Sequence, residues 1–251
     1  MRIELLGPMC VDVAGTRINF GAPKHRTLLA ALALQRGDIV SIDALAEIVW
    51  DGMLPGSWRT TLRNYVRRVR ATLVQDAPLL HTHHPGYSLD ISRRDLDVFA
   101  FEDRVADGQA AARTQDWETA SRVLSEALEL WHGTPLIDIT SGLLHQKNVS
   151  YLEGMRLSAL AKRVEADLRV SGDRAPDLIP ELRRLSGDYP ADERLHGLYM
   201  IALSMAGRTA EALAVYQDAY RYAKEELGTE PGASLRRIQQ RILDGEPDLW
   251  A

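Results

Sequence analysis

Five arginines lie within about three helical turns of one another, in a stretch from position 52 to 75 that contains no acidic residue. They are Arg59, Arg63, Arg67, Arg68 and Arg70. An arginine side chain can bind a phosphate, or pair with a guanine through two parallel hydrogen bonds, and an asparagine can pair with an adenine in the same way. Because the whole chain has a formal net charge of -5, this local cationic cluster predicts a polyanionic partner, above all nucleic acid.

The spacing of apolar residues predicts that one helix, residues 57–73, positions these arginines. Ser57 is the expected N-cap, and the expected buried stripe is Leu62, Val66, Val69 and Leu73. A helix advances about 100° per residue, so the opposite face carries the residues that we predict to read bases: Thr60, Arg63, Asn64, Arg67 and Arg68. We predict phosphate contacts for Arg59, Arg70, Lys24 and Arg26. The alternative is that this polar face is simply exposed to solvent. The elements predicted on either side of the helix favour DNA binding over that alternative.

The elements around this helix predict a winged helix-turn-helix. Short strands are expected at 2–6, 10–13 and 17–20, the last two joined by a turn at Ala14-Gly15. A helix from Pro23, a short strand at 39–40 and a helix capped by Ser41 are expected to follow. The loop 51–56 leads into the arginine helix. Residues 79–91 form a predicted hairpin around Pro85-Gly86, a pair that favours a type II turn. We predict that the wing contacts DNA through Thr82, His83 and His84.

Charge and periodicity separate the rest of the chain from this domain. Residues 1–95 contain 12 Lys and Arg against 9 Asp and Glu, whereas residues 96–251 contain 18 against 26. Amphipathic helices are predicted at 97–113, 116–131, 143–171, 176–187, 191–206, 208–227 and 232–243. Gly172 and Gly207 begin similar segments 35 residues apart, a period typical of tetratricopeptide helix pairs. The predicted fold class is mainly α with a small β component: a winged helix at 1–95, then an all-α tetratricopeptide-like domain at 96–251.

The sequence gives little support for a metal site or a catalytic site. His81, His83 and His84 lack a nearby Cys, Asp or Glu to complete a metal site, and Cys10 is the only cysteine. No phosphate-binding loop or catalytic motif is present, so we expect neither an enzyme nor a cofactor. Trp117 and Trp131 are expected in the core. The sequence lacks a signal-peptide core and a membrane-spanning run, so we expect a cytoplasmic, nucleoid-associated protein with no membrane partner.

With these residues in view, the chain resembles the Streptomyces antibiotic regulatory protein family of transcription activators over essentially its whole length. The matching segments include those at 5–8, 21–29, 40–45, 49–50, 61–70, 85–89, 130–136, 207–216 and 226–232. The resemblance implies a winged helix of the response-regulator type followed by a bacterial transcriptional activation domain. Two departures are His83-His84 beside the wing Pro-Gly, where many relatives have a basic residue, and the absence of a following nucleotide-hydrolysing module, so ATP control in cis is not expected.

The resemblance also implies a function and partners. We expect an activator of a secondary-metabolite gene cluster, whose protomers bind side by side on direct repeats of double-stranded DNA and contact RNA polymerase. The polymerase contact is expected at the loop that carries Met53 and Leu54. Two alternatives stay open: a scaffold whose basic helix binds an acidic protein, and a ligand sensor. The sensor would need polar residues converging on buried helix faces, which the sequence alone does not locate.

Overall fold

The computed structural model describes residues 1–18, 20–246 and 248–250. It confirms the predicted fold class, mainly helical with small sheets. The chain folds into two compact units. Unit 1 contains residues 1–106 and 126–157, and unit 2 contains residues 107–125 and those from 158 onward. Among the described residues, no helix is long and apolar enough to cross a membrane.

The elements follow the predicted order. The first three strands are β1 Arg2–Glu4, β2 Cys10–Val13 and β3 Thr16–Ile18. The winged-helix region then contains α1 Pro23–Ala33, β4 Val40–Ser41, α2 Ile42–Trp50, α3 Trp58–Leu73, β5 Leu80–Thr82 and β6 Gly86–Leu89. The later helices are α4 Asp97–Arg113, α5 Trp117–Leu128, α6 Gly142–Val170, α7 Ala175–Asp188, α8 Glu193–Met205, α9 Thr209–Glu226 and α10 Ala233–Asp244. Every predicted helix of the second half is present within three residues of its predicted ends.

The first sheet is an antiparallel meander in the order β1-β2-β3. Its predicted turn at Ala14-Gly15 is confirmed, since both residues have positive φ, 52° and 83°, as a tight two-residue hairpin requires. The predicted third strand at 17–20 is shifted: β3 covers residues 16–18, Phe20 is buried, and position 19 lies outside the described residues.

The second sheet joins the wing to the helical core, in the order β4-β6-β5. Ser41 pairs with Gly86 in this sheet, and its side chain also caps α2 by accepting from the amide of Ala44 at 3.1 Å. The predicted type II turn at Pro85-Gly86 is wrong, because Gly86 has no positive φ and already belongs to β6. A Cβ on Gly86 would lie 1.8 Å from the carbonyl oxygen of Val40, so glycine is required for strand approach.

Replacing Gly86 by alanine is therefore expected to destabilise the protein by roughly 1 to 3 kcal/mol, because the clashing atoms are backbone atoms of β4 and cannot rotate away. Urea unfolding of the full chain measures this loss. Gly56→Ala is the matched control: a Cβ there meets nothing within 4 Å and the φ is not positive. Equal stability of the two variants would contradict the packing argument.

The helix α3 buries the predicted stripe of Leu62, Val66, Val69 and Leu73. Its predicted N-cap is only half realised: Ser57 occupies the cap position, but its side chain accepts no hydrogen bond from the helix. Aromatic rings also join the three helices: the ring of Tyr65 on α3 stacks on Trp50 of α2 with centroids 5.8 Å apart and meets His25 of α1 edge-on at 5.0 Å. These contacts fix α3 against α1 and α2.

The buried carboxylate of Asp97 connects the first sheet to α4. Asp97 is 3% exposed and accepts hydrogen bonds of 2.8 Å from the amides of Leu5, Leu6 and Val98. Burial raises the pKa of this carboxyl group to about 6, although the three amide donors favour its charged form. Without this carboxylate, the backbone amides that follow β1 and the amide in the first turn of α4 would have no hydrogen-bond acceptor.

Residues well beyond position 95 also pack within unit 1. Asp138 accepts from the amide of Met9 at 2.8 Å, and Ser141 Oγ donates to the carbonyl oxygen of Ile48 at 2.8 Å. Trp131 is buried and meets the ring of Phe101 edge-on, as its predicted core position requires. The domain boundary between residues 95 and 96 stays a prediction, and the compact units of the structure do not coincide with it.

In unit 2, α8 packs against α7, α9 and α10. On α9, Ala212, Tyr216 and Ala219 are buried and Leu213 is half-buried. The two glycines of the 35-residue repeat have different roles: Gly207 has a φ of 73° after α8, whereas a Cβ on Gly172 would meet Met205 at 2.7 Å. Trp117 is half-buried beneath the guanidinium of Arg169.

Candidate nucleic-acid interface

The polar face of α3 is exposed in the structure as the sequence predicts. Thr60, Arg63, Asn64, Arg67 and Arg68 are all exposed on the side opposite the buried stripe. Across the part of the chain that the structure describes, none of these five side chains has a hydrogen bond or an ion pair. The face therefore presents three guanidinium groups and one carboxamide whose donors and acceptors have no protein partner among the described residues.

The positive charge of this face affects the ionisation of a neighbouring histidine. Burial, and secondly the positive charge of Arg68, lower the pKa of His25 on α1. His25 is therefore held in its neutral form near neutral pH and adds no charge, while its ring packs on Tyr65. The cationic character of the surface comes from the arginines of α3.

Arg59 and Arg70, at the edges of the same helix, already have intramolecular partners. Arg59 forms an exposed ion pair with Asp43 at 2.9 Å and lies over the ring of Trp58 at 4.3 Å. Arg70 donates to the carbonyl oxygen of Leu80 at 2.5 and 3.0 Å and to Thr82 Oγ1 at 2.8 Å. Arg70 thus ties the end of α3 to the first strand of the wing, which the sequence did not predict.

Lys24 and Arg26, for which phosphate contacts are predicted, already have intramolecular partners. Lys24 Nζ donates to the carbonyl oxygen of Val49 at 2.5 Å, at the end of α2. The guanidinium of Arg26 donates to the carbonyl oxygen of Phe20 at 2.7 Å and pairs with the carboxylate of Asp138 at 3.2 Å. Arg26 is only 18% exposed. These bonds give both side chains a structural role within unit 1, and their phosphate contacts stay a prediction.

The wing is the hairpin of β5 and β6, as predicted, and Thr82, His83 and His84 at its tip are exposed. The amide of His83 donates to the carbonyl oxygen of Gly86 at 2.8 Å, and its Nε2 lies 2.9 Å from Ser88 Oγ. The rings of His81 and His83 lie 6.2 Å apart on one strand face. Among the described residues, no three His, Cys, Asp or Glu side chains are grouped to hold a metal ion.

The loop between α2 and α3 displays apolar side chains. Met53 is 81% exposed and Leu54 is 41% exposed. The loop begins with Asp51 and Gly52 in the left-handed region, at φ 50° and 79°. The Asp51 carboxylate accepts from the backbone amide of Leu143 at 3.3 Å, which anchors the start of the loop within unit 1. The exposed apolar pair is therefore held on a defined backbone.

Comparison with known proteins gives two family matches. Residues 16–89 match the family described as "Transcriptional regulatory protein, C terminal", and residues 96–243 match the "Bacterial transcriptional activator domain". The two matches cover the predicted winged helix and the predicted helical domain in the same order. Together they support a DNA-binding module coupled to an activation module.

Individual relatives extend over the whole chain. The regulatory protein DnrI of Streptomyces peucetius is 35% identical over 99% of this chain and 94% of its own length. The regulatory protein AfsR of Streptomyces griseus is 34% identical over 99% of this chain, which spans only 25% of that relative. The solved structure of Mycobacterium tuberculosis EmbR, in complex with a low affinity phosphopeptide, superposes with a TM-score of 0.91 and 31% identity, over 99% of this chain and 66% of EmbR.

Proposed function

Because this chain belongs to the Streptomyces antibiotic regulatory protein family of transcription activators, we propose that it binds operator DNA through α3 and activates a secondary-metabolite gene cluster. The observation that carries the DNA-binding proposal is the polar face of α3, where Arg63, Asn64 and Arg67 are exposed and unpaired among the described residues. The proposed role is regulatory and non-enzymatic, and the proposed place of action is the nucleoid.

In the proposed complex, α3 lies in a major groove. Its 16 residues extend about 24 Å, and its unpaired arginines and Asn64 point away from the bundle. Arg59 lies at the edge of this face and is exposed, and among the described residues its one ion pair is with the exposed Asp43, so exchanging that carboxylate for a phosphate costs little. The wing, tied to α3 by Arg70, brings Thr82, His83 and His84 toward the neighbouring backbone or minor groove.

The activation step is proposed to use protein contacts. Protomers are proposed to lie side by side on direct repeats, with the acidic residues of 96–251 turned toward a second protomer or RNA polymerase, because an excess of negative charge is repelled by phosphates. The loop of Met53 and Leu54 is proposed to contact RNA polymerase, since exposed apolar side chains on an anchored loop gain free energy when a partner covers them.

Footprinting of the promoters next to the gene for this protein, over a series of salt concentrations, tests the DNA-binding proposal. We expect protection of repeated sites and an affinity that falls steeply with salt, because several arginines displace counterions from the duplex. Binding to acidic peptides with no sequence-selective footprint would instead favour the scaffold alternative.

Changing both Met53 and Leu54 to serine is expected to leave operator affinity nearly unchanged and to lower transcription several-fold with purified polymerase. The reason is that the change removes exposed apolar surface and no hydrogen bond. The matched control is Ile39→Ser, which removes an apolar side chain of unit 1 that is 52% exposed outside this loop. An equal fall in affinity and transcription would show that the loop is structural.

A further inference from the structure

The last turn of α2 meets the first turn of α6 within unit 1, just before the loop of Met53 and Leu54 begins. The last carbonyl groups of a helix have no partner within that helix. Here Ser141, which is 1% exposed, donates its hydroxyl proton to the carbonyl oxygen of Ile48 at 2.8 Å. A residue that follows Ile48 by 93 positions therefore completes the end of α2.

The same serine also begins α6. Its Oγ accepts from the amide of Leu144 at 3.3 Å, and its carbonyl oxygen accepts from the amide of His145 at 3.1 Å. Ser141 is thus the N-cap of α6 and, through its hydroxyl proton, the partner of α2. The negative end of the α2 dipole therefore lies beside the positive end of the α6 dipole, an arrangement that is electrostatically favourable.

Asp51 connects the start of the loop to the same place. It ends α2 in the left-handed region, and its carboxylate accepts from the amide of Leu143 at 3.3 Å. Burial opposes ionisation of this carboxyl group, but hydrogen bonds from the amides of Gly142 and Leu143 hold the pKa of Asp51 below its usual value. The group is therefore charged at neutral pH, at the positive end of α6. Four residues form this α2–α6 junction: Ile48, Asp51, Ser141 and Leu143.

We propose that Ser141 and Asp51 are positioning residues for activation, which hold the loop between α2 and α3 in the orientation that contacts RNA polymerase. This role rests on the proposed polymerase contact of the loop. Ser141 is buried, so it acts through the end of α2 rather than by touching the polymerase. The face of α3 that is proposed to read DNA has no residue in the junction, and the buried stripe of α3 holds that helix separately. Activation can therefore be lost while operator affinity is retained.

Ser141→Ala tests the junction from the α6 side, because it changes no residue of the loop. We expect operator affinity to stay within about twofold, since the DNA-reading face lies outside the junction. Transcription with purified polymerase at saturating protein should fall about threefold or more, because the loop then holds the contact orientation for only a fraction of the time. The matched control is Asp116→Ala, which removes the side-chain cap of α5 in unit 2, where Asp116 accepts from the amide of Thr119 at 3.2 Å. This control should transcribe like the wild-type protein.

Asp51 is tested by two substitutions that keep its backbone conformation, because glycine and asparagine both adopt the left-handed region readily. Asp51→Gly removes the carboxylate, whereas Asp51→Asn keeps an oxygen that accepts from the amide of Leu143. We expect Asp51→Gly to lower transcription about threefold or more and Asp51→Asn to restore at least about half of the loss. Equal transcription by the two variants would overturn the role of this acceptor.

Hydrogen exchange measures the position of the loop without polymerase. The amide of Gly52 donates to the carbonyl oxygen of Glu47 at 3.1 Å. The amide of Met53 donates to the carbonyl oxygen of Trp50 at 3.0 Å. In the full chain with Ser141→Ala, both amides should exchange at least about threefold faster, because the end of α2 opens more often.

The outcomes separate the junction from the polymerase contact. Unchanged exchange in Ser141→Ala, or a fall in transcription no larger than that of Asp116→Ala, would overturn the positioning role. Normal transcription by the Met53→Ser and Leu54→Ser double variant would instead overturn the polymerase contact itself, whatever the exchange rates are.

Discussion

Replacing Asp97 by alanine is expected to lower the free energy of unfolding by about 2 to 4 kcal/mol. The substitution leaves the amides of Leu5, Leu6 and Val98 without their carboxylate acceptor in a buried region, and each unpaired amide costs about 1 to 3 kcal/mol. The loss is partly offset, because the variant no longer buries a carboxylate. Urea unfolding at neutral pH measures the difference.

Two further measurements make this prediction specific. Asp90→Ala, at an exposed position, should change stability by less than about 0.5 kcal/mol.

Burial raises the pKa of Asp97 to about 6, so between pH 4 and 6 the folded state holds a proton that the unfolded state has lost. The stability gained by protonating this carboxyl group is therefore fully present below pH 4 and is lost as pH rises through 6, whereas its hydrogen bonds with the three amides remain at neutral pH. Asp97→Asn should remove that slope, and an identical pH profile would contradict the assignment.

Replacing Arg67 or Asn64 by alanine is expected to reduce the preference for operator over random DNA by about 10- to 100-fold, equivalent to roughly 1 to 3 kcal/mol. Both side chains lie on the exposed face of α3 without partners among the described residues, so the substitutions remove no bond that holds the fold. Competition binding with operator and random duplexes at one salt concentration measures the ratio. Parallel losses on both duplexes would mean that these residues contact only the backbone.

Other arginines serve as contrasts for this experiment. Arg59→Ala should weaken operator and random DNA to the same extent, because its edge position suits a phosphate. Arg17→Ala removes one exposed positive charge from β3, away from α3, and should change neither affinity by more than about twofold. Arg70→Ala should differ from both, because it also releases the wing strand from Leu80 O and Thr82.

The structure also changes how a truncation should be interpreted. The charge balance suggests that residues 1–95 alone would retain the DNA preference, but that fragment lacks Asp97, which binds the amides of Leu5 and Leu6. It also lacks Asp138, the partner of Arg26. Loss of DNA binding by such a fragment would therefore report lost folding as readily as lost recognition, and substitutions in the full chain are the cleaner test.

The sequence by itself determined the elements and the exposed face of α3. The period of Leu62, Val66, Val69 and Leu73 depends only on the local geometry of a helix, and any stripe of apolar residues must be buried. The same reasoning placed the later helices to within three residues, and it placed the hairpin turn at Ala14-Gly15. Each of these features is specified by residues that are neighbours in sequence.

Only the tertiary structure decided which polar groups are already occupied. Arg26 and Asp138 are 112 residues apart, and Leu5 and Asp97 are 92 apart, so no local period relates them. Gly86 resembles a turn glycine in the sequence, yet its role comes from the close approach of β4. Whether a polar side chain is free to bind a ligand depends on what the fold brings within hydrogen-bond distance of it, and that is set by packing rather than by sequence spacing.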